Sequence, residues 1–205
     1  MAESGSWPSI CRHGLLSVTA LLDLFEINGA RRIRIERQRR PESVVIEHAV
    51  HGRAVIRDQK PLSDTALLKC LAGMTPEEWY SSLNRRVFFW VSKKRVEKLL
   101  QARAYRAQPH CVIVVDTAEF VRRYHDNIVL CPINSGSTIF KPQPRGRNTF
   151  LPISSYPFQY WSDRRGELNA VVELAVDYAV RDASELATRV DLVQGSRVLK
   201  KIYEK

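Results

Sequence analysis

The sequence predicts one α+β domain spanning residues 1–205, built on a mixed, mostly antiparallel sheet with flanking helices. Two observations carry that expectation. Helix-like and strand-like periodicities alternate through the middle of the chain, and no internal repeat, low-complexity tract or long Gly/Ser/Pro linker divides it. At 205 residues and 44% hydrophobic composition, the chain is long and apolar enough for one substantial core.

The elements follow in order. "WPSICRH" reads as a short helical turn broken at Gly14, and Ser17 opens a helix that sets Leu21, Leu22 and Phe25 on one face. After the basic stretch "RRIRIERQRR", the segments "SVVIEHAV" and "AVIRDQ" flank "HG" and predict a hairpin. In "TPEEW", Thr75 is an N-cap, Pro76 fits the first helical position and two acids face the positive end of the helix dipole. "RVFFWV" predicts a strand, "SKKRVEKLLQARAY" a helix opened by Ser92, "CVIVVD" an apolar strand and "TAEFVRRYH" a helix. From Cys131 to Phe150 the chain turns irregular and carries Pro132, Pro142 and Pro144, the mark of a long functional or disordered loop. "VVELAVDYAV" then predicts a strand, "DASELA" a short helix capped by Asp182, and "TRVDLV" a last strand. The basic tail "RVLKKIYEK" is expected to fray or to form a terminal helix.

Composition removes several classes. The longest apolar run, "GLLSVTALLDLF", is interrupted well short of the roughly 18 residues a membrane span needs, and no basic-then-apolar leader opens the chain. A cytoplasmic location and no membrane partner are therefore expected. Cys11, Cys70, Cys111 and Cys131 are scattered without a C-x-x-C pair, so neither a zinc knuckle nor a disulfide framework is indicated. His48 and His51 are closely spaced, but a turn accounts for them and no metal site is expected. The net charge of +10, from 32 Lys and Arg against 22 Asp and Glu, is concentrated in "RRIRIERQRR" and "RRVFFWVSKKR". Either these segments meet a polyanion such as nucleic acid, releasing counterions, or they form a solvated surface.

Chemistry-bearing motifs are sparse. No Walker loop, G-x-G-x-x-G or G-x-S-x-G is present. "NSGS" and "PRGR" set flexible backbone beside Asn134, Ser135, Arg145 and Arg147, which suits a phosphate or an ordinary turn. Phe88, Phe89 and Trp90 beside basic residues suit either base stacking or a core strand. Asp116 reads as a helix cap. Glu173 is the residue of interest. On a strand it shares a face with Val171, Ala175 and Asp177, opposite Val172, Leu174 and Val176. That face is either the solvent side of an antiparallel sheet or the wall of a cleft.

In this order of elements, the chain resembles the DarT-like branch of the ADP-ribosyltransferase fold, and a bacterial family related to that branch. "WPSICRHGLL" is similar to the stretch that follows the cofactor-contacting histidine there, "RVFFWV" to its aromatic strand, and "NAVVELAV" to the strand carrying its catalytic glutamate. The resemblance implies NAD as a substrate, Glu173 as the catalytic carboxylate at the nicotinamide ribose, and Gly14 and Leu15 at the cofactor. It implies Arg40 or Arg57 as the NAD-contacting arginine. It places Tyr156–Asn169 as an acceptor-recognition loop, with Tyr160, Trp161, Arg164 and Arg165 suited to a nucleobase and its phosphates. The matching cofactor histidine would fall just before Met1, so the expectation is a longer natural chain, the other outcome being an impaired protein. The competing readings are a non-catalytic nucleic-acid- or protein-binding domain and a hydrolase pairing Glu173 with Asp177.

Overall fold

In the computed structural model, which describes residues 1–139 and 141–205, two four-stranded antiparallel sheets carry the architecture. Local sequence accounts for most of the first half. Strand β1 (Ala2–Glu3) leads into α1 (Trp7–His13), which ends at Gly14. Gly14 has φ +78°, and a Cβ there would lie 2.4 Å from the Val180 carbonyl oxygen, so only glycine lets β2 (Leu15–Leu16) pair with the late chain. The Ser17 side chain accepts from the Ala20 N–H and starts α2 (Val18–Leu24).

The basic stretch proves to be a helix, α3 (Gly29–Arg37), with Ile35 as its one buried residue. It is held from outside, by packing on α5 and by the Asn84 side chain donating to the Glu36 carbonyl oxygen. The expected hairpin is present as β3 (Val44–His48) and β4 (Gly52–Ile56). Helix α4 (Asp64–Cys70) runs into β5 (Leu71–Ala72), and α5 (Pro76–Asn84) opens with a complete capping box between Thr75 and Glu78.

Next come β6 (Arg86–Trp90), α6 (Lys93–Leu100), β7 (Pro109–Val115) and α7 (Thr117–Tyr124). Asp116 caps α7 by accepting from the Glu119 N–H, as expected, whereas Ser92 opens α6 without a side-chain cap bond. An unanticipated strand, β8 (Ile128–Cys131), leads into the irregular region, which contains β9 (Arg145–Gly146) and is followed by β10 (Leu151–Pro152). Phe140, inside the loop expected there, lies outside the described residues.

Three further expectations are corrected. Residues 156–169 are not a loop throughout, because Phe158–Arg165 form helix α8. Strands β11 (Glu173–Asp177) and β12 (Ala179–Val180) follow, then α9 (Ala183–Leu186). Asp182 sits at the N-terminus of α9 but gives no cap bond, its carboxylate being taken by Tyr124 and Arg123. The tail neither frays nor coils: β13 (Ala187–Gln194) and β14 (Arg197–Glu204) pair as a hairpin, since Val190, Val193 and their neighbours bury one strand and register fixes the other.

One sheet has the order β1-β7-β13-β14 and the other β10-β8-β11-β6. Core residues Phe120, Ile128, Leu174, Val176, Leu186 and Val190 pack together, while Leu62, Leu67, Trp79, Tyr80 and Phe150 form a second cluster with Cys131. Leu22, Phe25, Ile35, Ile46 and Ile56 make a third under the β3–β4 hairpin. Strand β11 is central in its sheet, paired to β8 and β6, and four of its five residues are buried. No helix among the described residues is long and apolar enough to cross a membrane.

Candidate buried-acid site

Glu173 begins β11, opposite Cys131 of β8 on one side and Trp90 of β6 on the other. The solvent-side alternative for its face does not hold. Glu173 is only 5% exposed, because the loop after β8 folds back across it. Its Oε2 accepts the Ser135 backbone N–H at 3.1 Å. Burial raises its carboxyl from the ordinary 4.5 to about 7, against the Ser135 bonds, the Cys131 thiol and the nearby Arg145 guanidinium, which favour the charged form.

Arg145 explains why the loop stays down. Strand β9 pairs in parallel with β5, Leu71 opposite Arg145 and Ala72 opposite Gly146. A Cβ at Gly146 would meet the Ala72 carbonyl oxygen at 2.2 Å, so a glycine is needed for that approach. Once seated, the buried Arg145 donates to the carbonyl oxygens of Ser135 and Ser137, both at 2.9 Å, and of Gln143 at 3.1 Å, and its guanidinium lies 5.6 Å from the Trp79 ring centroid. Burial lowers the Arg145 pKa and raises that of Cys131, whose thiol donates to the Ile133 carbonyl oxygen. The hydroxyl of Thr138 accepts the Ser63 N–H at 2.8 Å, fastening the loop to α4 beside a depression of about 440 Å³ lined in part by Lys69, Cys70 and Pro142. Glu173 is not on the wall of that depression.

The other expected residues are dispersed. Of the loop residues read as a phosphate cradle, Ser135 and Arg145 come to Glu173, Asn134 is exposed, and Arg147 turns away to the Gly73 carbonyl oxygen and Glu78. Gly14 and Leu15 lie against Val180, beyond the far end of β11. Arg40 is buried, with its guanidinium donating to the carbonyl oxygens of Ile35 at 2.5 Å and Arg57 at 3.1 Å, and burial lowers its pKa to about 10. It is a strut between α3 and the chain after β4. Arg57 stacks on Tyr105 at 4.2 Å.

Helix α8 has no buried residue. Arg164 stacks on Tyr160 at 3.8 Å and Arg165 on Trp161 at 4.2 Å, the two rings meeting edge-on at 4.9 Å. Arg165 also donates to the Pro132 carbonyl oxygen at 2.5 Å, so α8 docks on the first residues of the loop that covers Glu173. The hydrolase pairing loses its geometry. Asp177 is four residues along β11, roughly 13 Å at strand rise, and is held by Arg85 at 2.6 Å and Arg86 at 2.9 Å. Sequence reasoning named Ser135 and Arg145 for phosphate but missed Cys131 as their companion, since only strand pairing puts it opposite Glu173. Among the described residues, no group of three or more His, Cys, Asp or Glu is arranged to hold a metal ion.

Fold and site together define an α+β protein with one carboxyl buried on a central strand, under an arginine-fastened loop. Residues 1–187 match a family of unknown function, DUF7002, and the chain belongs to that family. No curated protein and no solved structure matches the chain.

Proposed function

We propose that this chain is an NAD-dependent ADP-ribosyltransferase-like protein in which Glu173 is the catalytic carboxylate. The observation that carries the reading is the state of Glu173: a buried carboxyl on a rigid central strand, with proton affinity shifted to about 7 and a backbone donor on one oxygen. Strong desolvation of a single acid is a mark of functional sites. In the proposed reaction the bond between the ribose anomeric carbon and nicotinamide breaks, and an acceptor atom bonds to that carbon. A fixed carboxylate stabilises the positive charge that develops on the ribose.

The loop over Glu173 must move aside before a dinucleotide can reach it. Exposure to water would return the carboxyl toward its ordinary range and ionise it at neutral pH, so opening and charging are coupled. Arg40 is buried, its Nε and Nη1 donate to carbonyl oxygens, and it does not fit the role of NAD-contacting arginine as it stands. The Arg–aromatic pairs of α8, tied to the same loop through Pro132, suit an acceptor base.

A second reading, a non-catalytic nucleic-acid- or protein-binding domain, is favoured by the covering of Glu173 and by α8, which has no buried residue. Incubation with NAD labelled in the adenylate half, with and without single-stranded nucleic acid, separates the two. Transfer of label that Glu173→Gln abolishes supports the transferase. Nucleic-acid binding that survives Glu173→Gln, with no label transferred, supports the binding module.

A further inference from the structure

A second cluster lies at the corner where α1, the β3–β4 hairpin and the chain after β12 meet. His13 ends α1, His48 ends β3 and His51 directly precedes β4. The His13 and His51 rings meet edge-on at 5.2 Å between centroids, and those of His48 and His51 stack at 4.8 Å. Phe25 backs both hairpin rings at 6.1 and 5.9 Å. Because Gly14 is pressed onto Val180 and Arg181, Arg181 reaches the same corner and donates to the His13 carbonyl oxygen at 3.2 Å. Arg12 adds a second guanidinium beside His13.

The electrostatics are one-sided. The carboxylates nearby are Glu26, 79% exposed and 3.7 Å from His48 Nε2, and Glu47 beside His48 in the hairpin depression, while Arg53 of that depression faces Glu3 at 4.0 Å. Arg12 and Arg181 form no salt bridge among the described residues. The Nδ1 of His48 accepts from the Val50 N–H at 3.2 Å, which leaves Nε2 as an N–H donor toward Glu26. Burial, His51, Arg12 and Arg181 all hold the His13 pKa below its ordinary value. Guanidiniums without a carboxylate partner, Arg181 lying 6.0 Å over the Tyr178 ring, beside edge-on imidazoles are suited to an anion with several acceptor oxygens, which would satisfy them together.

We propose that His13, His51, Arg12 and Arg181 form a binding site for a phosphate group, carried by a nucleotide or by free phosphate. The inference does not depend on the Glu173 reading, because this corner lies beyond the opposite end of β11. A bound dianion draws a proton onto the His13 imidazole, so affinity falls as pH rises.

Isothermal titration of the full chain with sulfate, whose charge is constant between pH 6 and 8, and with phosphate and ADP tests it. Sulfate is expected to bind on the order of tenfold more tightly at pH 6 than at pH 8. Arg181→Gln should weaken all three anions roughly five- to tenfold at both pH values, and His13→Gln should flatten the pH dependence. Tighter binding of ADP than of phosphate that Arg181→Gln weakens identifies a nucleotide as the source, and equal binding identifies free phosphate. Glu173→Gln should leave the sulfate affinity and its pH dependence unchanged, which separates failure here from failure of the transferase reading. Absence of binding by all three anions at pH 6 overturns the proposal. So does wild-type affinity in folded Arg181→Gln and His13→Gln.

Discussion

Replacing Glu173 with Gln is expected to stabilise the protein, and to do so only where the native carboxyl would have to ionise. Burial moves that carboxyl from 4.5 to about 7, and each tenfold in proton affinity is worth about 1.4 kcal/mol. Between those two values the folded chain binds the proton that the unfolded chain has released, so stability falls as pH rises through this window. Below 4.5 both states are protonated and the cost vanishes. Above 7 it is complete, about 3 kcal/mol. Gln has nearly the same shape, keeps an acceptor for the Ser135 N–H and carries no charge. The gain should therefore be under about 1 kcal/mol at pH 5 and about 3 kcal/mol at pH 8, which for a chain of this size raises Tm by roughly 6–12 °C at the higher pH. Urea and thermal melts of both proteins at the two pH values measure it. A Gln variant that loses stability, and loses more at pH 8 than at pH 5, would refute the reasoning: Glu173 would then be an ionised partner of Arg145 rather than a desolvated acid.

Other outcomes follow from the same geometry. Arg145→Lys keeps the charge but cannot span the carbonyl oxygens of Ser135, Ser137 and Gln143. It should cost about 2–4 kcal/mol and make residues 134–144 the first protease cut, read by mass spectrometry of a timed digest. Gly14→Ala combines a left-handed backbone with a 2.4 Å approach to a backbone oxygen. A loss of about 2–4 kcal/mol is expected in urea melts, against about 1 kcal/mol for Gly5→Ala, where the added methyl meets open space. Thr75→Ala removes one half of the α5 capping box and should lower the unfolding free energy by about 1 kcal/mol.

Caps and hairpins were legible because their causes lie within a few residues. Thr75, Asp116 and Ser17 each meet a backbone N–H three residues on, and the β3–β4 ladder joins neighbouring segments. Helix α3 was not legible, since one buried isoleucine among arginines gives no apolar stripe and its support comes from α5. Helix α8 was hidden for a related reason: it buries nothing, so no periodicity marks it. Strand β14 is exposed along almost its whole length and takes its conformation from pairing with β13.

By itself the sequence determined the alternation of elements, the late strand and the presence of Glu173 within it, all set by local propensity and side-chain period. Alternation along β11 marks Glu173 as facing away from Leu174 and Val176, yet is silent on what covers that face. Only the tertiary structure decided that Glu173 is covered, because the covering loop is held by an arginine that β5–β9 pairing delivers. The same holds for His13 and His51, which are distant in the chain and neighbours in space. Desolvation and charge clustering depend on proximity in three dimensions, and proximity between remote segments is not a property of local sequence.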